Sequence, residues 1–168
     1  MIAHPHAPYA NAVMAALADQ YDPADSWTEY ANDDGEVMLL EIVINLDPDK
    51  ALAAGWNHGI YIYWRQTTGW EWCYGTNSEG SNSYGGELTY GLVTDPDDIA
   101  RAVRALLTPG GERLSLPSFG SQRAHDDTTA LPAPLQKAMD GEDIDRETAY
   151  ALAVYSQAST PEKETATA

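Results

Sequence analysis

The chain has 168 residues, 43% of them apolar, which suits one folded domain with appendages and excludes wholesale disorder. Twenty-six acidic residues against nine basic ones give a net charge of −17, a field that repels nucleic-acid backbones and anionic membranes and so disfavours direct DNA or RNA binding. No apolar run approaches the roughly 18 residues of a membrane span, the first twenty residues lack the positive region of a secretory signal, and a single cysteine, Cys73, excludes an intramolecular disulfide.

A cytoplasmic location is therefore expected. The acidity itself admits three readings: solubility, as a compositional habit of a GC-rich genome; tolerance of high salt; or a surface that docks a basic partner, such as a nucleic-acid-binding protein whose groove it imitates. Net charge bears on solubility and association rather than on fold.

Residues 8–21 place Tyr9, Val13, Met14, Leu17 and Tyr21 at helical spacing, with Pro8 suited to a first turn. Asp22, Pro23 and Asp25 end this helix. "SWTEYA" reads as a short strand in which Trp27 and Glu29 alternate with Thr28 and Tyr30. "NDDG" (32–35) reads as a turn. Residues 36–46 form the most hydrophobic strand, with Met38, Leu40, Ile42, Ile44 and Leu46 on one face. Val37, Leu39 and Val43 leave the other face largely apolar around Glu41, as in a central strand covered on both sides.

After a connection with one helical turn comes "GIYIYWRQTTGWEWCYG" (59–75). A Thr67-Thr68-Gly69 loop, as a type I turn with a glycine bulge, predicts a hairpin with Arg65 opposite Glu71 and Trp64 opposite Trp72. One face collects Ile60, Ile62, Trp64, Trp70, Trp72 and Tyr74, which is core patterning. The other holds Tyr61, Tyr63, Arg65, Glu71 and Cys73, with Arg65 and Glu71 expected to pair across the strands. These five are the candidate binding residues.

Residues 76–86 read as a polar, glycine-rich loop, and "ELTYGLV" as a strand with Leu88, Tyr90 and Leu92 inward. The clearest helix follows over 95–107: Asp95 or Thr94 caps it, Pro96 fits its first turn, and Asp97 and Asp98 suit the positive end of its dipole. Ile99, Val103, Leu106 and Leu107 form its buried stripe. Beyond residue 110 the expectation is an extended segment anchored by Leu114, Leu116 and Phe119, then two short helices, the second from about Asp145 to Gln157. The division is 1–110 for an α+β domain, 111–157 for the extended segment and short helices, and 158–168 for a disordered tail.

Neither phosphate-binding glycine loops nor GxSxG nor HExxH is present. His4 and His6 lie near a terminus, His125 stands beside Asp126 and Asp127 in a loop setting, and His58 precedes the hairpin. No catalytic residue, metal site or cofactor is expected.

Trp64, Gly69 and Trp70 of the hairpin, with the helix Asp95–Leu107, resemble small helix–sheet–helix domains of unknown function from actinobacteria, over residues 8–108. A more general likeness, of type rather than motif, is to bacterial immunity proteins, which are often small, acidic and aromatic-rich. The resemblance implies an α+β fold and carries no catalytic residue. The expected architecture is an antiparallel sheet of four to five strands with helices 8–20 and 95–107 packed together on one face. The expected function is non-catalytic binding of another protein, in its sharper form an inhibitor or immunity-type factor that blocks a basic partner. The rival expectation is a small-ligand binder or enzyme using the Tyr61/Tyr63/Cys73 face.

Overall fold

Period-two strands and proline-started helices assemble as expected into an α+β fold. The computed structural model describes residues 4–32, 38–109, 116–128 and 130–158. In chain order the elements are α1 (Ala7–Leu17), β1 (Trp27–Asn32), β2 (Met38–Asn45), α2 (Pro48–Ala53), β3 (Ile60–Arg65), β4 (Gly69–Gly75), β5 (Asn82–Glu87), α3 (Pro96–Leu106), α4 (Ala133–Asp140) and α5 (Arg146–Ala158). The strands form a five-stranded antiparallel meander in the order β1-β2-β3-β4-β5. The hydrophobic strand β2 is internal, as expected, but it is not covered on both sides: Leu40, Ile42 and Ile44 enter the core, while Glu41, Val43 and Asn45 line the opposite face with β3. The "NDDG" turn falls mostly, and Leu114 and the tail beyond Ala158 entirely, outside the described residues.

One sheet face is the core. Leu40, Ile42 and Ile44 of β2, Ile60, Ile62 and Trp64 of β3 and Trp70 of β4 are buried in one cluster with Tyr9, Val13 and Leu17 of α1 and Ile99, Val103 and Leu106 of α3. Burying each large aliphatic side chain contributes about 1.5–3 kcal/mol. Asp95 caps α3 by accepting from the Asp97 amide at 2.9 Å, and Asp47 caps α2 through the Lys50 amide at 3.0 Å. Helices α1 and α3 pack together over the sheet, and α5 joins them against α1.

The last third of the chain is part of this core. Leu135, Ala138, Ile144, Ala149, Leu152 and Tyr155 belong to the same buried cluster, and the Tyr155 ring lies 4.9 Å from that of Tyr9. Residues 116–128 drape over α3: Phe119 accepts from the Tyr90 amide, Ser121 accepts from the Asp95 amide, and Arg101 sits 4.4 Å over the Phe119 ring.

The hairpin register differs from expectation by one residue on each strand. Trp64 faces Trp70 rather than Trp72, and Arg65 faces Gly69 rather than Glu71. The turn closes one residue earlier, with the Thr68 amide donating to the Arg65 carbonyl, and Gly69 follows at φ +74°. The cause is Gln66. Its buried amide leaves the ladder, accepting from the Leu40 backbone at 3.0 Å and donating to the Asp143 carbonyl at 3.3 Å. A shift of one residue on both strands preserves the faces, so the assignment of side chains to core and opposite face stands.

The region expected as a loop contains β5. It pairs with β4 at the sheet edge, with an irregularity at Trp72/Cys73. Gly85 brings its backbone directly onto the Trp72 ring. Trp72 is half-buried there, and its ring also meets Trp56 at 5.5 Å and Tyr74 at 6.0 Å. "ELTYGLV" contributes only Glu87 to a strand: Leu88 is buried, while Tyr90 and Leu92 are exposed. Thr94 holds this stretch as a turn, its hydroxyl bonding to the Tyr90 carbonyl at 2.8 Å and the Thr89 hydroxyl at 3.0 Å.

Gly75 is fixed by a close approach. Its amide donates to Gly59 at 2.9 Å, and a Cβ there would overlap the carbonyl of His58. Gly75→Ala is expected to lower stability by about 1–3 kcal/mol, because backbone rather than a flexible side chain must move. A denaturant midpoint unchanged from the parent protein would contradict this.

Candidate functional site

Alternation along the strands settles what lies opposite the core. Glu41, Val43 and Asn45 of β2 stand across from Arg65, Tyr63 and Tyr61 of β3. Tyr63 and Tyr61 stand across from Glu71 and Cys73 of β4, and Glu71 from Glu87 of β5. On the other side Trp27 and Glu29 of β1 face Val43 and Glu41. All five candidate residues therefore share one face, as expected. The recorded contacts of the helices go to the core face: Tyr9 of α1 meets Trp64 and Trp70, and Tyr30, beside the α4–α5 connection, bonds Asp143 at 2.7 Å. Among the described residues no helix covers the second face.

This open face is aromatic at its surface and acidic around it. Trp27 is 49% and Tyr84 57% exposed, Tyr61 and Tyr63 are half-buried, and Val43 and Cys73 are buried between them. Around them stand Glu29, Glu41, Glu71 and Glu87. The expected Arg65–Glu71 pair does not form across the hairpin. Arg65 Nε instead meets Glu41 Oε2 on β2 at 2.9 Å, because the register places these two directly opposite. Glu71 Oε1 accepts from the Tyr84 hydroxyl at 3.0 Å, and Arg65 lies 5.8 Å over the Tyr63 ring.

Two clefts indent the face. The larger, ≈ 420 Å³, is bounded by Trp27, Glu41, Asn45, His58, Tyr61 and Asn82. The smaller, ≈ 230 Å³, lies among Glu41, Tyr61, Tyr63, Arg65 and Cys73. Glu41 belongs to both. Burial, reinforced by hydrogen bonding to Cys73, pushes the Tyr61 hydroxyl up to about 12. Burial and a hydrogen bond to Glu71 raise Tyr63 further. Both phenols keep their protons at neutral pH and serve as donors rather than bases.

His58 borders the larger cleft and Cys73 the smaller. His125 is exposed in a loop, its ring stacked 6.5 Å from Tyr150. His6 is the surprise: a residue read as terminal is wholly buried, its Nε2 3.0 Å from the Glu41 carbonyl and its ring 5.9 Å from Trp64. Among the described residues no group of three or more His, Cys, Asp and Glu is placed to hold a metal, and no helix is long and apolar enough to cross a membrane.

A cleft of ≈ 600 Å³ elsewhere lies between Gln66 and the α4–α5 connection, and carries Glu142, Asp143 and Asp145. Structural duties account for two of these acids. Asp143 takes the Tyr30 hydroxyl, and Asp145 caps α5 by accepting from the Thr148 amide at 2.7 Å.

Sequence reading missed Trp27, Glu41 and Tyr84. Trp27 and Tyr30 put one aromatic on each side of β1, so alternation could not say which was inward. Tyr84 sat in a stretch whose glycines and serines hid its strand. Glu41 was legible only as the one charged residue in β2, the signal of a carboxylate facing something other than core. No protein-family model, curated protein or solved structure matches this chain.

Proposed function

We propose that this is a non-catalytic protein-binding module whose open sheet face docks a basic protein, and that it acts as an inhibitor by covering that partner's cationic surface. The observation that carries the reading is an exposed pair of aromatics, Trp27 and Tyr84, set on an uncovered sheet among four carboxylates. Aromatics of this kind are the anchors of protein interfaces, and Trp27 stays 49% open to water beside the half-buried Tyr61. The carboxylates match the −17 net charge, which steers association with cations and makes it salt-sensitive.

The test is affinity capture from the source organism's lysate at low and high salt, using the parent protein, a Trp27→Ala/Tyr84→Ala variant and a Leu52→Ala control on α2. The expected result is a basic protein retained at low salt by the parent and the control, released at high salt, and absent from the double variant. Retention by the double variant equal to the parent would remove the open face from the reading. Both aromatics are about half exposed and lie outside the core cluster, so their loss leaves the core intact.

A further inference from the structure

Within the larger cleft the chemistry narrows to one kind of guest. Trp27 and Tyr61 offer aromatic surface, and Glu41 offers a carboxylate. The Asn45 amide nitrogen donates one of its two N–H groups to the Asp25 carbonyl at 2.6 Å, and its carbonyl oxygen adds an acceptor at the cleft. Aromatic faces and oxygen acceptors together favour a cation. Charge agrees: Glu29 stands directly across from Glu41, and Glu41 across from Arg65, so Glu29 adds a second carboxylate on the side of Glu41 away from Arg65. Arg65 grips Glu41 from the side of the smaller cleft, which fixes the carboxylate for a second partner in the larger one.

We propose that the larger cleft seats one arginine side chain of the protein partner, its guanidinium stacked on Trp27 and Tyr61 and hydrogen-bonded to Glu41. This rests on the reading of the open face as a docking surface, and it names the contact at that surface's centre. Arginine fits better than lysine because its planar group stacks on rings while its N–H fork reaches oxygen acceptors in the same plane. A side chain of a protein, rather than a free small cation, fits because the cleft continues into the exposed indole of Trp27, surface that a small cation would leave wet. An anion is turned away by Glu29 and Glu41.

The experiment is a titration of the isotope-labelled full chain with N-acetyl-arginine N-methylamide, followed by NMR, beside the citrulline counterpart, which has the same shape without the charge. Saturable shifts are expected at the Trp27 indole N–H and the Tyr61, Gly75 and Asn82 amides. The citrulline probe should bind about tenfold more weakly or worse, and Glu41→Gln should weaken the arginine probe by a similar factor. Glu87→Gln, outside the cleft, should leave the affinity unchanged. Equal binding of the two probes, or shifts that spread over the acidic starts of the helices and survive Glu41→Gln, would overturn the arginine seat. If lysate capture depends on Trp27 and Tyr84 while the arginine probe leaves the cleft unperturbed, the seat falls and the docking face stands. If capture ignores both aromatics, the docking face falls, and the seat loses its footing with it.

Discussion

Trp70→Ala should remove about 3–5 kcal/mol of stability, a large share of the roughly 5–15 kcal/mol a domain holds in total. Trp70 is wholly buried on the core face, so truncation opens a cavity that the surrounding strands cannot collapse to fill. It also breaks a buried chain of polar contacts. The Trp70 indole donates to the Tyr9 hydroxyl at 3.0 Å, and that hydroxyl donates to the Thr94 carbonyl at 2.6 Å. The chain links β4, α1 and the residue before the α3 cap.

Denaturant unfolding of Trp70→Ala, Trp70→Phe and Tyr9→Phe separates the two effects. Trp70→Phe keeps much of the volume and loses the donor. Tyr9→Phe strands both the indole N–H and the Thr94 carbonyl, for about 1–3 kcal/mol. The double variant Trp70→Phe/Tyr9→Phe should cost less than the sum of the singles, because each breaks the same hydrogen bond. Strict additivity would show that the contact contributes nothing. A loss under about 1 kcal/mol in Trp70→Ala would mean that the ring is not the keystone its burial implies.

The second large effect is on pH dependence. Burial, opposed by the bond to the Glu41 carbonyl and aided slightly by nearby His4, holds His6 down to about 4. An unfolded histidine titrates near 6.5. Between these values the unfolded chain binds a proton that the folded chain refuses, so stability rises with pH across this range. The His6 contribution is fully present above about 6.5, is lost progressively as pH drops, and is gone below about 4, an amount of about 3 kcal/mol.

Other carboxylates titrate in part of the same range, so the comparison must be with a variant. The pH slope of unfolding free energy between 4 and 6.5 should be steeper in the parent than in His6→Gln, whatever the absolute stabilities. Direct NMR titration of the His6 ring should find it neutral at pH 5. A ring that protonates near 6.5, or identical slopes in parent and variant, would contradict the burial argument. Asp98 does not confuse the result. Its carboxyl is held below the ordinary carboxylate range, chiefly by the Ser121 hydroxyl, so its contribution is lost only at lower pH.

How much of this was legible in the residues depends on what fixed each element. The α3 helix could be read because its signals are local: a capping Asp95, Pro96 in the first turn, and apolar residues at helical spacing. The hairpin's two faces could be read because alternation survives a register error. The register itself could not, since it was set by Gln66 reaching partners on β2 and in the α4–α5 connection, far away in sequence. Strand β5 was hidden for a related reason. Gly85 and Gly86 have poor strand propensity: Gly85 is there because a side chain would overlap the Trp72 ring, and Gly86 because its backbone sits at φ +148°. The candidate site was half visible: Tyr61, Tyr63, Arg65, Glu71 and Cys73 were placed together correctly. Trp27, Glu41 and Tyr84 required knowing which strands flank the hairpin and which way each one turns.

The contact between Tyr9 and Tyr155 joins nearly the first described helix to the last. During synthesis α1 emerges early, yet one flank of its Tyr9 ring has no apolar neighbour until α5 has left the ribosome. The hairpin can form in the meantime, but the layer of helices over it cannot close. Closure of the helical layer over the sheet accordingly waits for α5. A nascent chain stalled shortly after α3 would carry an unfinished apolar surface of the kind that chaperones bind.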